Sequence, residues 1–526
     1  MLTPTKYAFL FSFIIAFGGF VFGLDLVLIS GTIQFIKAEF GLSAIEIGNL
    51  VAGPGYGALI GLVFTSLVCD KIGRKKTILI IAGLYSLSAI GSAFATSASF
   101  LFWARFLGGL AFASLSVASM YIGEIAPPKY RGKLVGMNQL NIVIGIFIAQ
   151  LINYYIINTL SDPASTLQSL GLNHTTAWRW MLGFEIIPAT LWFLGVFLLP
   201  ESPRWLALNN KMSDAKQVMA KITEPEELDQ QLTKIDNSFT SDEHHTLSTL
   251  AQAKLLFSPV MRAALVIGVV SAIIQALTGM NAVLAYMPMI FSQLGGGEAS
   301  AFSQTLLVGG IGMIFTILGL LFVDKLGRRP IFAGGLLWGA VSLFIVFIGF
   351  FNATYLLTPE TIASLKSSVD VTLIHPLLGK EFSSDLAFKH AVIDQIGLVA
   401  YTANESNLMA AATNINGMLV FIGIISFQCA FNFSMGPVLW ILVSEIFPTK
   451  VRAFAIPFCG FIASIFGGVI VPLFFPWQLE NLGAAYTFAL YMVFSLAGLI
   501  FVLKKIPETK NKSIEEIELE LRRPSK

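Results

Sequence analysis

About twelve runs of mainly apolar residues dominate this chain, each long enough to cross a bilayer as a helix, which takes about 20 residues. They lie near 7–30, 46–68, 77–97, 100–122, 135–157 and 178–199, then near 262–291, 301–323, 331–351, 415–443, 454–475 and 484–503. In lipid the backbone must satisfy its own N–H and C=O groups, and a single apolar segment does so as an α-helix. The first run, Tyr7 to Ser30, exceeds the roughly 7–15 apolar residues of a secretory signal and is followed by many more, so it reads as a retained helix. The expectation is an all-α membrane protein of twelve transmembrane helices.

Charge supports the same reading. Only 12% of residues are charged and 55% are hydrophobic, whereas a soluble domain carries roughly 25% charged residues. A net charge of +2 gives no field that would draw nucleic acid. Cys69, Cys429 and Cys459 sit in or beside apolar runs, without metal-ligand spacing or a disulfide framework, and read as helix-packing residues. There is no phosphate loop, metal cluster or nucleophile–base arrangement, so neither an enzyme nor a resident cofactor is expected.

Two hydrophilic stretches divide the runs. Residues 200–260 separate two sets of six, and helical patterning near 213–235 makes them a small helical linker domain. Residues 352–414 interrupt the second set after its third run. The expected organisation is a six-helix half over 1–199, linker helices over 200–260, a second half over 261–505 carrying the 352–414 insertion, and a tail over 506–526. Basic residues in short loops favour the cytoplasm. Lys71, Arg74, Lys75 and Lys76, then Lys129, Arg131 and Lys133, then Lys325, Arg328 and Arg329, then Lys450 and Arg452 all fall on one side if both termini are cytoplasmic. The linker domain joins them there and the insertion is external, as are the triplets beginning at Asn173, Asn352 and Asn404, which have the form of glycosylation acceptors.

The halves repeat. Asp70-Lys71-Ile72-Gly73-Arg74-Lys75 recurs 254 positions on as Asp324-Lys325-Leu326-Gly327-Arg328-Arg329. Glu124-Ile125-Ala126-Pro127 with Arg131 recurs 321 positions on as Glu445-Ile446-Phe447-Pro448 with Arg452. The difference between the offsets is close to the length of the 352–414 stretch, so the second half looks like the first with a loop inserted. Parallel six-helix repeats with a midplane site between them are a transporter architecture.

A charge at bilayer depth costs at least ~2.5–3.5 kcal/mol and survives if paired or facing water. Asp25 in the first run, Arg105 in the fourth and Glu185 in the sixth are candidates for one buried cluster. It is either a static pair fixing helix register or a proton site. Burial disfavours the carboxylate and a nearby guanidinium favours it, so a moving Arg105 would alter the proton affinity of Asp25. The repeated loop charges either set topology or latch the cytoplasmic face. Uncharged polar residues within the runs include Gln139, Asn141, Gln275, Thr278, Asn281 and Trp440, this last after Gly436-Pro437, where a kink is expected. Amides that donate and accept suit a polyhydroxylated ligand, although Asn and Gln also join helices.

With these motifs in order, the chain resembles the sugar porter family of the major facilitator superfamily, and within it the bacterial xylose–proton symporters. The matching strings include Gly19-Phe20-Val21-Phe22-Gly23-Leu24-Asp25, Arg105-Phe106-Leu107-Gly108-Gly109, Pro200-Glu201-Ser202-Pro203-Arg204-Trp205-Leu206, Gly436-Pro437-Val438-Leu439-Trp440 and Pro507-Glu508-Thr509-Lys510, beside the loop repeats. The resemblance implies a major facilitator fold, with Asp25 as proton carrier, Arg105 as its partner and Glu185 in support. It implies Phe22, Gln139, Gln275, Asn281 and Trp440 as substrate contacts. Asp70, Arg74, Glu124, Arg131, Glu201, Arg204, Asp324, Arg328, Glu445 and Arg452 would form the cytoplasmic gate. The chain departs from the family's pattern at Ala276, Ala285-Tyr286, Gly312 and Ser464, where binding groups are lost. A larger sugar, a polyol such as inositol or a non-sugar solute fits such a wall. The expected protein is a proton-coupled sugar or polyol symporter, a monomer in the cell membrane, with the proton as coupling ion. The alternatives are a uniporter with a vestigial Asp25 and a nutrient sensor.

Overall fold

A computed structural model of the chain describes residues 3–126, 130–160, 162, 165–223, 228, 249–294, 297–365, 371–510, 512 and 514–522. Among them, eleven helices are long and apolar enough to cross a membrane. In chain order the membrane helices are α1 (Pro4–Phe40), α2 (Ala44–Ile72), α3 (Arg74–Ala93), α4 (Ala98–Ile125) and α5 (Arg131–Leu160). The sixth, α6, spans 177–196, is interrupted at Phe184–Glu185 and adds to the eleven. Then come α7 (Pro259–Ser292), α8 (Gly297–Leu326), α9 (Arg328–Phe351), α10 (Gly417–Ile446), α11 (Phe454–Asn481) and α12 (Gly483–Lys505). An even number of spans puts both chain ends on one side, called here the termini side.

Contacts group the chain into two units that do not follow its sequence halves. The first unit holds residues 1–26, 53–149 and 182–255. Its core buries Tyr85, Tyr121 and Trp192 among aliphatic residues of α1, α3, α4 and α6. The predicted linker helices are present as Pro203–Leu208 and Met212–Ile222, joined by Leu206, Ala207 and Ala215. The expected helical patterning beyond residue 223 lies almost entirely outside the described residues.

The second unit holds residues 27–52, 150–181 and 256–526. Helix α7 breaks at Thr278–Gly279, where Gly279 takes φ 84°. The kink expected at Gly436-Pro437 takes the form of a widened π-helical stretch over Phe431–Met435 just before it, and a second such stretch occupies Ser464–Ile470 before Pro472. Proline lacks the N–H that would continue the ladder, so the preceding turn opens.

The described residues of the 352–414 stretch form a small sheet with helices. Strand β1 (Thr354–Leu356) pairs antiparallel with both β2 (Glu381–Phe382) and β3 (Thr413–Asn414), with Thr354 opposite Asn414. A helical segment over Asp385–Ala412, broken by a kink at Gly397 where φ is 79°, packs on this sheet through a core including Tyr355, Phe388, Val392 and Leu408. Ser384 starts that helix by accepting from Ala387 N–H at 3.2 Å.

Candidate functional site

Asp25, Arg105 and Glu185 converge inside the first unit. Arg105 Nη1 donates to Asp25 Oδ1 at 3.1 Å and Nη2 to the Asp25 backbone carbonyl at 3.4 Å, with both side chains 2% exposed. Asp25 Oδ2 and Arg105 Nε are buried with no hydrogen-bond partner among the described residues. Such a buried pair is half-satisfied, and a carboxylate oxygen without a donor is a place for a proton. Small residues make room for it: a Cβ on Gly108 would come within 2.5 Å of Ser88 Oγ and 3.6 Å of Asp25 Oδ2. Glu185 is 3% exposed and lies within electrostatic reach of both Asp25 and Arg105. It stands at the interruption of α6, where its N–H donates to the Leu182 carbonyl three residues back.

Aromatic rings wall this cluster. Phe22 meets Phe112 edge-on at 4.6 Å, Phe112 stacks near Tyr85 at 6.3 Å, and Tyr85 meets Trp192 at 5.9 Å. Gln139 is exposed on α5 in the same unit.

The other expected contact residues belong to the second unit. Gln275 Nε2 donates to the Met435 carbonyl at 3.0 Å, and Asn281 Nδ2 to the Gly467 carbonyl at 2.8 Å. Each amide thus reaches one of the two widened stretches and satisfies a carbonyl there, keeping its own oxygen available. Trp440 is exposed on α10. The absent side chain at Gly312 is matched by amides from α10: a Cβ there would meet Asn432 Nδ2 at 2.7 Å and Gln428 Nε2 at 3.1 Å. Sequence reasoning passed over Gln428 and Asn432; two amides one helical turn apart in an apolar run were the available signal.

The termini-side charges form two matching networks, one in each unit. Arg74 pairs with Asp70 at 3.1 Å and with Glu124 at 3.3 Å. Arg328 pairs with Asp324 at 2.9 Å and with Glu445 at 2.8 Å. Glu201 accepts from the N–H groups of Arg74 and Lys75 at 2.8 and 3.0 Å, and Glu508 from those of Arg328 and Arg329 at 3.0 and 3.2 Å. A carboxylate at a helix start complements its dipole and unpaired N–H groups. Both helices begin after a glycine with positive φ, Gly73 at 98° and Gly327 at 96°, and a Cβ at either would collide with the capping carboxylate. Next along, Ser202 donates to Glu124 and Thr509 to Glu445. Pro-Glu-Ser and Pro-Glu-Thr are therefore a third repeat, which the loop motifs overshadowed. Arg452 donates to the Phe447 carbonyl at 3.1 Å, and Arg204 is exposed and in no ion pair among the described residues, so the structure brings neither into these networks. The Arg131 side chain lies outside the described residues.

A family model described as "Sugar (and other) transporter" matches residues 11–371 and 391–521. The chain belongs to the sugar porter family of the major facilitator superfamily. This sugar porter is 32% identical over 507 residues to an arabinose–proton symporter of Bacillus subtilis, covering 95% of this chain and 92% of that protein. It is 31% identical to a galactose–proton symporter of Escherichia coli, covering 98% and 94%. Among solved structures it is similar to the xylose transporter XylE of E. coli in a partially occluded inward open conformation, with a TM-score of 0.71 and 26% identity over 97% of this chain and 100% of that one. The sugar porter is a multi-pass membrane transporter of twelve helices, not an enzyme.

Proposed function

We propose that this sugar porter is a proton-coupled symporter that imports a sugar or polyol by alternating access, with both termini in the cytoplasm. The observation that carries the reading is the buried Asp25–Arg105 pair, with Asp25 Oδ2 unpartnered beside Gly108. A proton from outside binds Oδ2 and neutralises Asp25. Arg105 then loses its counter-ion at a depth where an unpaired cation is costly, and Glu185 is the acid within reach to receive it. Gln139 in the first half, and Gln275, Asn281 and Trp440 in the second, are the groups offered to substrate hydroxyls, with Phe22 as an apolar wall. Protonation biases the conformation and conformation biases protonation, because linkage is reciprocal. The proton leaves Oδ2 on the cytoplasmic side and Arg105 returns. The names of the arabinose and galactose relatives, both proton symporters, support the coupling.

The test is proton flux in proteoliposomes on adding pentoses, hexoses and polyols one at a time. External alkalinisation with one solute is the expected result and names the substrate. Asp25→Asn should abolish accumulation above equilibrium while labelled-solute counterflow persists. Accumulation by Asp25→Asn against a gradient would overturn the coupling.

A further inference from the structure

The insertion between α9 and α10 is tied to the membrane helices by ties of two kinds, all of them inside the second unit. Its ties to the second six-helix set are several. Asp385 Oδ2 accepts from the Ala484 N–H at 3.0 Å at the start of α12, and Lys389 stands 3.7 Å from Glu480 near the end of α11. Burial pushes the Asp385 carboxyl up from its ordinary range, while the backbone donors and Lys389 draw it back. With the first set there is one charged tie among the described residues. Lys37 Nζ, in the last turn of α1, lies 2.7 Å from Glu405 Oε2 of the insertion and 3.6 Å from Glu480 Oε1. The three side chains are 13%, 23% and 29% exposed, which shields them from salt more than surface charges are shielded.

The backbone is closely packed on the same side. Gln34, one turn before Lys37, donates to Ser292 at the end of α7. Gly48 of α2 faces the Leu473 carbonyl of α11, and Gly309 of α8 faces the Gln150 amide of α5, each with no room for a Cβ. Gln150 is buried with neither amide atom hydrogen-bonded among the described residues, so these contacts are fitted by shape.

We propose that Lys37, Glu405 and Glu480 form an ion-pair latch that holds the side opposite the termini shut and parts in every transport cycle. This rests on the alternating-access reading above. If the first six helices swing away on this side, Lys37 leaves both carboxylates, while the Asp385 and Lys389 ties keep the insertion on α11 and α12. The insertion is then the fixed jaw and the end of α1 the moving one. Water entering the opened side solvates the separated charges, so the latch is reversible.

The test places a reporter cysteine at Ser292, which is 5% exposed, in a protein whose own three cysteines are buried. A membrane-impermeant maleimide is applied from the side opposite the termini, without sugar. Lys37→Gln is expected to raise the labelling rate roughly fivefold or more. Glu405→Gln, the milder change, should raise it in the same direction, and the double variant should add little to Lys37→Gln because the two share one interaction. Unchanged labelling in both single variants, with the protein monodisperse, would overturn the latch. As a second measurement, a Lys37→Cys/Glu405→Cys disulfide should stop net uptake until it is reduced; uptake undiminished while cross-linked would also overturn it. Labelling needs neither sugar nor a proton gradient. A protein that moves no proton with any solute yet shows charge-dependent labelling loses the symport reading and keeps the latch.

Discussion

At the scale of single residues, the proposed coupling turns on a few buried atoms whose partners are missing among the described residues or shared. Asp25 and Arg105 were legible in the sequence because a charge inside an apolar run stands out by its cost. Ser88 was not, and Gly108 was read only as part of the Arg105-Phe106-Leu107-Gly108-Gly109 string without its place beside Asp25 Oδ2, because small residues are ordinary between membrane helices and carry no sign of what they touch. Gly108→Ala puts a methyl group 2.5 Å from Ser88 Oγ and against the carboxylate. Its expected effect is a roughly 10- to 100-fold loss of sugar-driven proton flux with the protein still folded, as for a small misplacement at a reacting centre. Ser88→Gly in the same background should recover part of the loss, and the proteoliposome flux assay measures both. Gln428 and Asn432 went unread for a related reason: that they fill the space beside Gly312 depends on which faces of α8 and α10 meet.

At the scale of elements, the helix starts carry the repeat as faithfully as their ion pairs do. Glu201 and Glu508 each hold two backbone N–H groups behind a positive-φ glycine. Glu201→Ala and Glu508→Ala should each lower stability by about 1 kcal/mol, in the range of a lost helix cap, read as a drop in thermal midpoint in detergent. The corresponding Gln variants, which keep one acceptor, should lose less. Most helix positions were readable from hydrophobic runs, with several helices running past the apolar stretch, as α1 does from the expected 7–30 to Pro4–Phe40. The interruption of α6 was not readable. Its run is apolar on both sides of Phe184–Glu185, and the break shows only once the Glu185 N–H is seen to reach back three residues instead of four.

At the scale of the whole molecule, the twelve helices followed from composition and run length, and the duplication from the loop motifs. The order within residues 352–414 did not: strands of two or three residues leave too short a period to detect. Orientation is testable at both ends. A cysteine replacing Leu373, 48% exposed in the insertion, should react with impermeant maleimide from outside intact cells, and one replacing Leu519, 62% exposed in the last described helix, only after permeabilisation. The reverse pattern would invert the proposed topology. The pairing of Thr354 with Asn414 has a further consequence. The two ends of a segment of some sixty residues are brought together, so α9 hands the chain to α10 much as a tight hairpin would. Every buried member of the insertion's core lies between Ala353 and Ala412, so the core can close on itself during synthesis, before α10 has left the ribosome. Between α9 and α10 the chain therefore carries a core of its own.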